Sequence, residues 1–127
     1  MCIRDSTELY HRIRAFLERY EFLLAPVVQV APFDLEEEWV REIDGVEMET
    51  YIDWMRSCFY ISLVGNPAIS VPFGFTEEGL PVGLQIVGRL GEDRAVLEFA
   101  YAVEQAVGAG KRRPPERAAT PLSLIHI

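Results

Sequence analysis

The sequence predicts an α/β protein of three helices and three strands. Three segments repeat apolar residues every three or four positions, which is the spacing of an amphipathic helix. Two neighbouring segments alternate in the manner of strands, and a third is a short, continuously apolar run typical of a buried strand. The chain has 127 residues, half of them hydrophobic, which fits one domain with a core and excludes a disordered polypeptide.

The N-terminal part of the chain predicts a helix followed by a strand. Residues 8–20 carry apolar side chains at positions 9, 13, 16, 17 and 20, which gives the helix one apolar face. Residues 22–30 (FLLAPVVQV) are predicted to be a buried strand, in which Pro26 has to sit where no hydrogen-bond donor is needed.

The acidity of the chain is confined to one segment. Residues 34–49 contain eight acidic side chains and one arginine, so they carry −7 of the net charge of −8. We interpret this segment as a solvated helix or loop, and an interaction surface is the second interpretation.

The second helix is predicted over residues 51–63. Thr50 and Asp53 are spaced as a capping box at its start, and Gly65 is placed to end it in the left-handed conformation. Apolar residues cover more than one side of this helix, so we expect it to pack against more than one element.

The C-terminal half predicts a hairpin and a helix. Residues 68–75 and 80–88 alternate apolar and smaller side chains around a turn at residues 76–79, and residues 92–107 have helical spacing. On the first strand we assign one face to Ile69, Val71, Phe73 and Phe75. On the last helix we assign the inward positions to Val96, Phe99, Ala100, Val103 and Val107.

The two ends of the chain are interpreted as translated sequencing adapter. Residues 1–6 (MCIRDS) can be encoded by a DNA segment whose complementary strand encodes residues 122–127 (LSLIHI). The N-terminal segment also lacks the features of a signal peptide. We therefore expect a domain over residues 7–110, a basic, proline-rich, disordered tail over residues 111–121, and an assembled fragment of a longer gene.

The native part of the chain has few residues for metal or disulfide chemistry. Cys58 and His11 are the only cysteine and histidine between the two ends, which excludes an internal disulfide and a Cys/His metal site, and we expect no cofactor. The negative charge argues against a nucleic-acid partner, and the apolar runs are too short to span a membrane. We expect a cytoplasmic protein, since the cysteine content is compatible with a reducing compartment.

Two ordered motifs carry a family resemblance. GNPAISVP at residues 65–72 and GLPVGLQIVG at residues 79–88 closely resemble the C-terminal part of the amidase signature family, the Ser–Ser–Lys amidohydrolases. The apolar run, the Asp53–Trp54 segment and the last helix occur in the same order there, so the resemblance covers residues 7–107. It implies a mixed β-sheet flanked by helices, and hydrolysis of a carboxamide through a serine acyl-enzyme.

The resemblance assigns no catalytic residue to this chain. The family's lysine, two serines and Gly/Ser-rich segment lie before the region that matches. The single lysine here, Lys111, stands in the polar tail, whereas a catalytic lysine has to be desolvated to act as a base. We interpret Cys58 as a buried thiol and His11 as a surface residue, so this chain alone is expected to be inactive.

Asp53 and Trp54 are the candidate substrate-binding residues, because they place a charge and an aromatic ring on an otherwise apolar helix. The competing interpretation is that Asp53 caps the helix and Trp54 packs. The resemblance implies a small-molecule amide as the substrate of the longer protein. We expect this chain to pack on the part that precedes it, and association into a homo-oligomer stays open.

Three functions remain open at this point. Ser62 and Val64 replace an Asn-x-Thr that the family often has before this glycine, which favours a stand-alone amidase with a differently lined pocket. The second function is an amidase-type subunit of a tRNA-dependent amidotransferase. The third, from another class, is a small α/β binding module without catalysis, which predicts that residues 7–121 fold cooperatively as a monomer. A fragment of a larger domain would instead expose apolar surface and aggregate.

Overall fold

The computed structural model describes residues 3–112, with side chains from residue 6 onward. The predicted adapter ends lie outside the described residues except for residues 3–6, which form the first turns of a helix, and so does most of the predicted tail. The helices and strands are α1 (Ile3–Arg19), β1 (Leu23–Pro26), β2 (Glu42–Ile43), β3 (Val46–Glu47), α2 (Arg56–Val64), β4 (Ala68–Phe75), β5 (Pro81–Val87) and α3 (Asp93–Val107). Short 3-10 turns at Asp53–Met55 and Ala109–Lys111 precede α2 and follow α3.

The main sheet has three strands in the order β1-β5-β4, and both of its pairings are antiparallel. The predicted hairpin is confirmed as β4 and β5, which are adjacent along the chain and in the sheet. Ile86 of the central strand β5 faces Leu24 of β1 and Ile69 of β4. The chain therefore has the predicted α/β class, with a sheet that carries helices.

One face of the sheet is covered by α3. Val71 and Ile86 of the sheet pack with Val96 and Ala100 of the helix, and all four side chains are buried. Val96 and Ala100 are four residues apart and so lie on the same face of the helix, as the sequence predicts. The apolar face predicted for residues 92–107 thus packs on the sheet, but Val107, which was predicted to point inward, is 40% exposed.

A bulge in β4 changes the predicted assignment of side chains to faces. The pairing passes from Pro72 opposite Gly83 to Gly74 opposite Val82, which leaves Phe73 without a partner in the register. An extra residue of this kind shifts the alternation of every later position by one. The assignments of Phe73 and Phe75 to the face of Val71 are therefore wrong. Phe73 is 47% exposed, whereas Val71 is 3% exposed, and Gly74, opposite Val82, continues the face of Val71, so that Phe75 lies on the other face.

The strand predicted over residues 22–30 ends at Pro26. The residue after it, Val27, still donates its N–H to the carbonyl of Gly83, at 3.4 Å, but the ladder does not continue. Proline has no N–H to give to a sheet, so it is well placed at the last position of a strand. Residues 27–33 consequently leave the sheet as a loop.

The acidic segment is an exposed loop with a minimal hairpin formed by β2 and β3. Asp44 and Gly45 make its two-residue turn, and both have positive φ, of 50° and 76°. Two left-handed residues in succession characterise the type I′ turn, for which Asp-Gly is a favoured sequence. The loop interpretation is confirmed and the helix interpretation is wrong for residues 34–49.

The second helix begins later than predicted and ends where predicted. The residues from Asp53 to Met55 form a 3-10 turn, so α2 starts only at Arg56, and Gly65 ends it with φ 70°. Helix α2 contacts α1, and α1 is tied to the end of the hairpin because Arg89 Nε donates to the carbonyl of Leu17 at 2.7 Å.

Among the described residues, no helix has the length and apolar character needed to cross a bilayer.

Candidate functional site

The predicted site residues Asp53 and Trp54 lie side by side in the 3-10 turn before α2, but they have different surroundings. The Asp53 carboxylate accepts hydrogen bonds from the backbone N–H and the hydroxyl of Thr50, at 2.8 and 2.7 Å. Its other oxygen accepts a bond from Nε of Arg56 at 3.1 Å. The hydrogen bond from Arg56, followed by those from Thr50, lowers the pKa of Asp53 to about 2.

These contacts resemble half of the predicted capping box. The Asp53 side chain satisfies the N–H of Thr50, while the N–H of Asp53 bonds to the backbone carbonyl of Thr50 at 3.0 Å rather than to its hydroxyl. Both oxygens of Asp53 therefore already have donors within the chain. A role for this carboxylate in binding substrate stays a prediction, and its contacts are those of a residue that organises the start of α2.

Trp54 borders an apolar groove. The groove has a volume of about 420 Å³ and is lined by residues 26–33, by Trp54, and by residues 81–83 of β5. The ring of Phe33 meets the ring of Trp54 edge to face, with centroids 5.4 Å apart, and Tyr51 meets it similarly at 6.2 Å. The indole Nε1 is buried and has no hydrogen-bond partner among the described residues.

The loop of residues 27–33 forms most of one wall, whereas its apolar pattern predicts that the first strand runs on to residue 30. The sequence contains a sign of this loop, because Pro26 and Pro32 flank it. Proline has no N–H to donate to a neighbouring strand, so the segment cannot pair regularly in a sheet at either end. The wall is anchored from α2: Ser57 Oγ and Cys58 Sγ both donate to the carbonyl of Val27, at 3.1 and 2.8 Å.

The other reactive side chains are dispersed. Cys58 is partly buried and is engaged with Val27, in line with a structural thiol. His11 is exposed on α1 and contacts the ring of Tyr10, and Lys111 is exposed after α3. Ser62 donates to the carbonyl of Cys58, one turn earlier in the same helix, at 3.4 Å. In the described part of the chain, no three His, Cys, Asp or Glu side chains come together in a way that could hold a metal ion.

The arrangement can bind but offers no apparatus for covalent chemistry. Among the described residues, the lining of the groove is apolar apart from Gln29 and contains no serine, cysteine or lysine. Hydrolysis of an amide requires an activated nucleophile and donors for the developing oxyanion. What the described residues supply is a wall against which an apolar group could rest.

Comparison with known proteins relates the chain to one protein family. Residues 1–97 match the family model Amidase. The chain is 34% identical over 102 residues to an acylamidase of Rhodococcus erythropolis, covering 80% of this chain and 21% of that protein. It is 35% identical over 100 residues to a glutamyl-tRNA(Gln) amidotransferase subunit of Alkaliphilus metalliredigens, covering 79% of this chain and 19% of that protein.

A solved structure of the same family has a similar fold. A bacterial aryl acylamidase of the amidase signature family superimposes with a TM-score of 0.63 at 27% identity, over 87% of this chain and 24% of that one. The chain thus spans about a fifth to a quarter of the length of these relatives.

Proposed function

This chain belongs to the amidase family, and from that membership we propose that it is the C-terminal portion of an enzyme that hydrolyses the carbon–nitrogen bond of a carboxamide. The observation that carries the proposal is the match of residues 1–97 to the family, over a chain that spans about a fifth of its relatives. The two motifs that resemble the family, at residues 65–72 and 79–88, make up most of the β4–β5 hairpin, and residues 81–83 of this hairpin line the candidate groove.

The proposed reaction proceeds through an acyl-enzyme on a serine of the preceding part of the longer protein. The serine oxygen attacks the carbonyl carbon and gives up its proton, the carbon–nitrogen bond breaks, and the protonated nitrogen leaves as ammonia. Water then attacks the serine ester, which releases the carboxylate and restores the hydroxyl. Such a two-step route divides one difficult displacement into two easier ones.

The chain alone is proposed to be inactive. Its lysine, Lys111, is exposed, so it lacks the apolar environment that allows an amine to act as a base near neutral pH. The hydroxyls of Ser57 and Ser62 donate to backbone carbonyls of Val27 and Cys58. A serine that donates to a carbonyl rather than to a base is not activated as a nucleophile.

The test compares this chain with the longer protein read from the source DNA. We expect the longer protein to release ammonia from simple carboxamides and to form a hydroxamate when hydroxylamine intercepts the acyl-enzyme, whereas the 127-residue chain does neither. An upstream reading frame without a lysine and without a Gly/Ser-rich serine segment would overturn the enzyme proposal. Ammonia release by the short chain would overturn its proposed inactivity.

A second candidate is the amidase-type subunit of a tRNA-dependent amidotransferase. It is favoured by the 35% identity to the glutamyl-tRNA(Gln) amidotransferase subunit of Alkaliphilus metalliredigens. Co-purification of the longer protein with a second subunit, together with a lack of activity on simple amides, would support this candidate. Turnover of simple amides by the lone protein would favour the stand-alone amidase, which the departures at Ser62 and Val64 also favour.

A further inference from the structure

We propose that the groove beside Trp54 binds the C-terminal segment of the same chain, with Pro114 and Pro115 against its aromatic side chains. These prolines belong to residues 113–121, which follow the described part of the chain. The proposal concerns a contact within the chain, so no bond is formed or broken, and it does not depend on the proposed hydrolysis of an amide.

After α3 the chain passes around β4, which lies at one edge of the described sheet. Helix α3 packs against Val71, whereas a Cβ on Gly110 would lie 3.7 Å from Cγ of Pro72. Val71 and Pro72 are successive residues of β4, so their side chains point to opposite faces of the sheet. Gly108 allows the change of direction, because it ends α3 in the left-handed conformation, with φ 67°. The turn Ala109–Lys111 therefore leads the chain from the α3 face towards the opposite face.

Arg112 lies on that opposite face, beside the groove. Its guanidinium lies over the ring of Phe75, 4.3 Å from the ring centroid. Phe75 faces Pro81 across the β4–β5 pair, and Pro81 lines the groove. Because neighbouring strands are about 4.8 Å apart, the described chain ends close to the groove. Arg112 is extended, with φ −76° and ψ 119°, and residues that continue in this way at roughly 3.1 Å each bring Pro114 and Pro115 to the groove.

The lining of the groove suits proline side chains. The groove has a volume of about 420 Å³, and its described lining is apolar apart from Gln29. The rings of Phe33 and Trp54 meet edge to face in this lining, with centroids 5.4 Å apart. Aromatic-lined grooves bind proline-rich segments in the polyproline II conformation, because that conformation is preformed and loses little entropy on binding. Arg113 precedes a proline and is therefore restricted to extended conformations, which favours the same shape.

The charges around the groove are complementary to those of the segment. The wall formed by residues 26–33 continues directly into the acidic segment 34–49, which carries −7 of the net charge of −8. Residues 111–121 contain four basic side chains and one acidic side chain. Attraction between the two segments favours the side of the sheet on which the groove lies, and salt screens this attraction.

The groove wall is fixed by contacts that do not involve the C-terminal segment. A Cβ on Gly83 would lie 2.9 Å from Cγ2 of Val27, so the bare glycine lets the start of the loop approach β5 closely. Ser57 and Cys58 of α2 donate to the carbonyl of Val27 at the same time. A wall held from two sides needs little reordering when the prolines bind.

The experiment uses fluorescence of the 127-residue chain. Its two tryptophans are Trp39 and Trp54, so Trp39→Phe leaves Trp54 as the only reporter. Every variant also carries Leu97→Gln and Tyr101→Gln, which remove two exposed apolar side chains from α3 and so limit self-association.

The first measurement compares two double substitutions in the C-terminal segment. We expect Pro114→Ser with Pro115→Ser to shift the Trp54 emission to longer wavelength and to make acrylamide quench it about twofold more strongly, because water then reaches the ring. Ala118→Ser with Ala119→Ser is the matched control and should change neither quantity. Circular dichroism should show the same helix content in both variants.

The second measurement adds the segment as a separate molecule. A synthetic peptide of residues 111–121, added to the chain with Pro114→Ser and Pro115→Ser, should restore the original emission saturably. The same peptide with both prolines replaced by serine should not restore it. Ala31→Asp, which places a charge in the groove lining at an exposed loop position, should abolish the restoration.

Each of the other results overturns the proposal. Unchanged emission after the two proline substitutions, or an equal change in the alanine control, would show that the prolines do not occupy the groove. Restoration that survives Ala31→Asp would place the peptide elsewhere on the molecule. An emission that depends on protein concentration would show that a second copy of the chain, rather than its own C-terminal segment, covers Trp54.

Discussion

One carboxylate oxygen of Asp53 accepts hydrogen bonds from both the backbone N–H and the hydroxyl of Thr50, at 2.8 and 2.7 Å. The other oxygen faces the guanidinium of Arg56. Asp53 therefore holds together the residues on both sides of the 3-10 turn from which α2 begins, and all of its contacts favour the charged form of the carboxyl group.

The first prediction concerns the pH dependence of stability. The pKa of Asp53 is lowered from its ordinary value of 3.8 to about 2, so in the window between these values the unfolded chain binds more protons than the folded one. The stability that Asp53 contributes is thus complete above the ordinary pKa and is lost as the pH falls towards about 2. Urea unfolding followed by circular dichroism should show Asp53→Asn less stable than the natural chain near neutral pH, with the difference disappearing at the acid end. Glu77→Gln, in the exposed turn, is the control, and a similar pattern there would contradict the assignment to Asp53.

The second prediction concerns the contact between Gly88, which follows β5, and α3. A Cβ on Gly88 would overlap with Cγ2 of Val96, so Gly88→Ala should push the helix off the sheet and destabilise the fold by about 1–3 kcal/mol. Removing the obstructing methyl groups by Val96→Ala should make the same glycine substitution much less costly. Gly74→Ala, whose Cβ would only reach ordinary contact distance from Val82, is the matched control. Additive effects of Gly88→Ala and Val96→Ala in a double-mutant cycle would rule out the steric explanation.

The third prediction compares two phenylalanines that the sequence pattern treats alike. Phe73 stands in the bulge and is 47% exposed, so Phe73→Ala should change the free energy of unfolding by less than about 0.5 kcal/mol. Phe99 stacks on Phe22 at a centroid distance of 4.4 Å and packs against the core. Because full burial makes Phe→Ala cost about 3–5 kcal/mol, we expect about 2 kcal/mol or more at this partly buried position. A larger loss at Phe73 than at Phe99 would contradict the bulge register.

The fourth prediction concerns the outer face of α3. Leu97 and Tyr101 lie one turn apart on that face and are 59% and 65% exposed. We expect the chain to bind an apolar fluorescent dye and to self-associate, and the double substitution Leu97→Gln, Tyr101→Gln to reduce both without loss of helix content. Glu104→Gln, on the same helix, should reduce neither. A monomeric chain without dye binding and with a sharp thermal transition would instead favour the independent binding module.

The accuracy of the sequence predictions differed between individual residues. Helix α3 and the β4–β5 hairpin were predicted closely, because their apolar periodicities run over many consecutive residues. The Gly65 end of α2 was predicted from one residue, since only glycine readily adopts the required left-handed conformation. The position of Phe73 could not be predicted, since a bulge is defined by the partner strand and leaves no periodicity of its own in the sequence.

The candidate site was also predicted only in part from the sequence. The sequence indicated Asp53 and Trp54 together, as a charge and a ring on one apolar segment, and it could not tell which of them borders a groove. In the structure, Asp53 accepts hydrogen bonds from Thr50 and Arg56, whereas Trp54 lines the groove together with residues 26–33 and 81–83. Adjacent residues in a helical turn point in different directions, so their environments depend on which elements pack on each side.

By itself, the sequence determined the α/β class and the family, because periodicity and ordered motifs are properties of neighbouring residues, and it showed that cysteine, histidine and lysine are few. Only the tertiary structure decided where β1 ends, which phenylalanine is buried, and that the loop after Pro26 forms a wall beside Trp54. Those features arise from contacts between segments far apart in the chain, such as the bonds from Ser57 and Cys58 to Val27, about thirty positions earlier. The groove exists because these distant contacts hold it in place, and no single segment of the sequence specifies it.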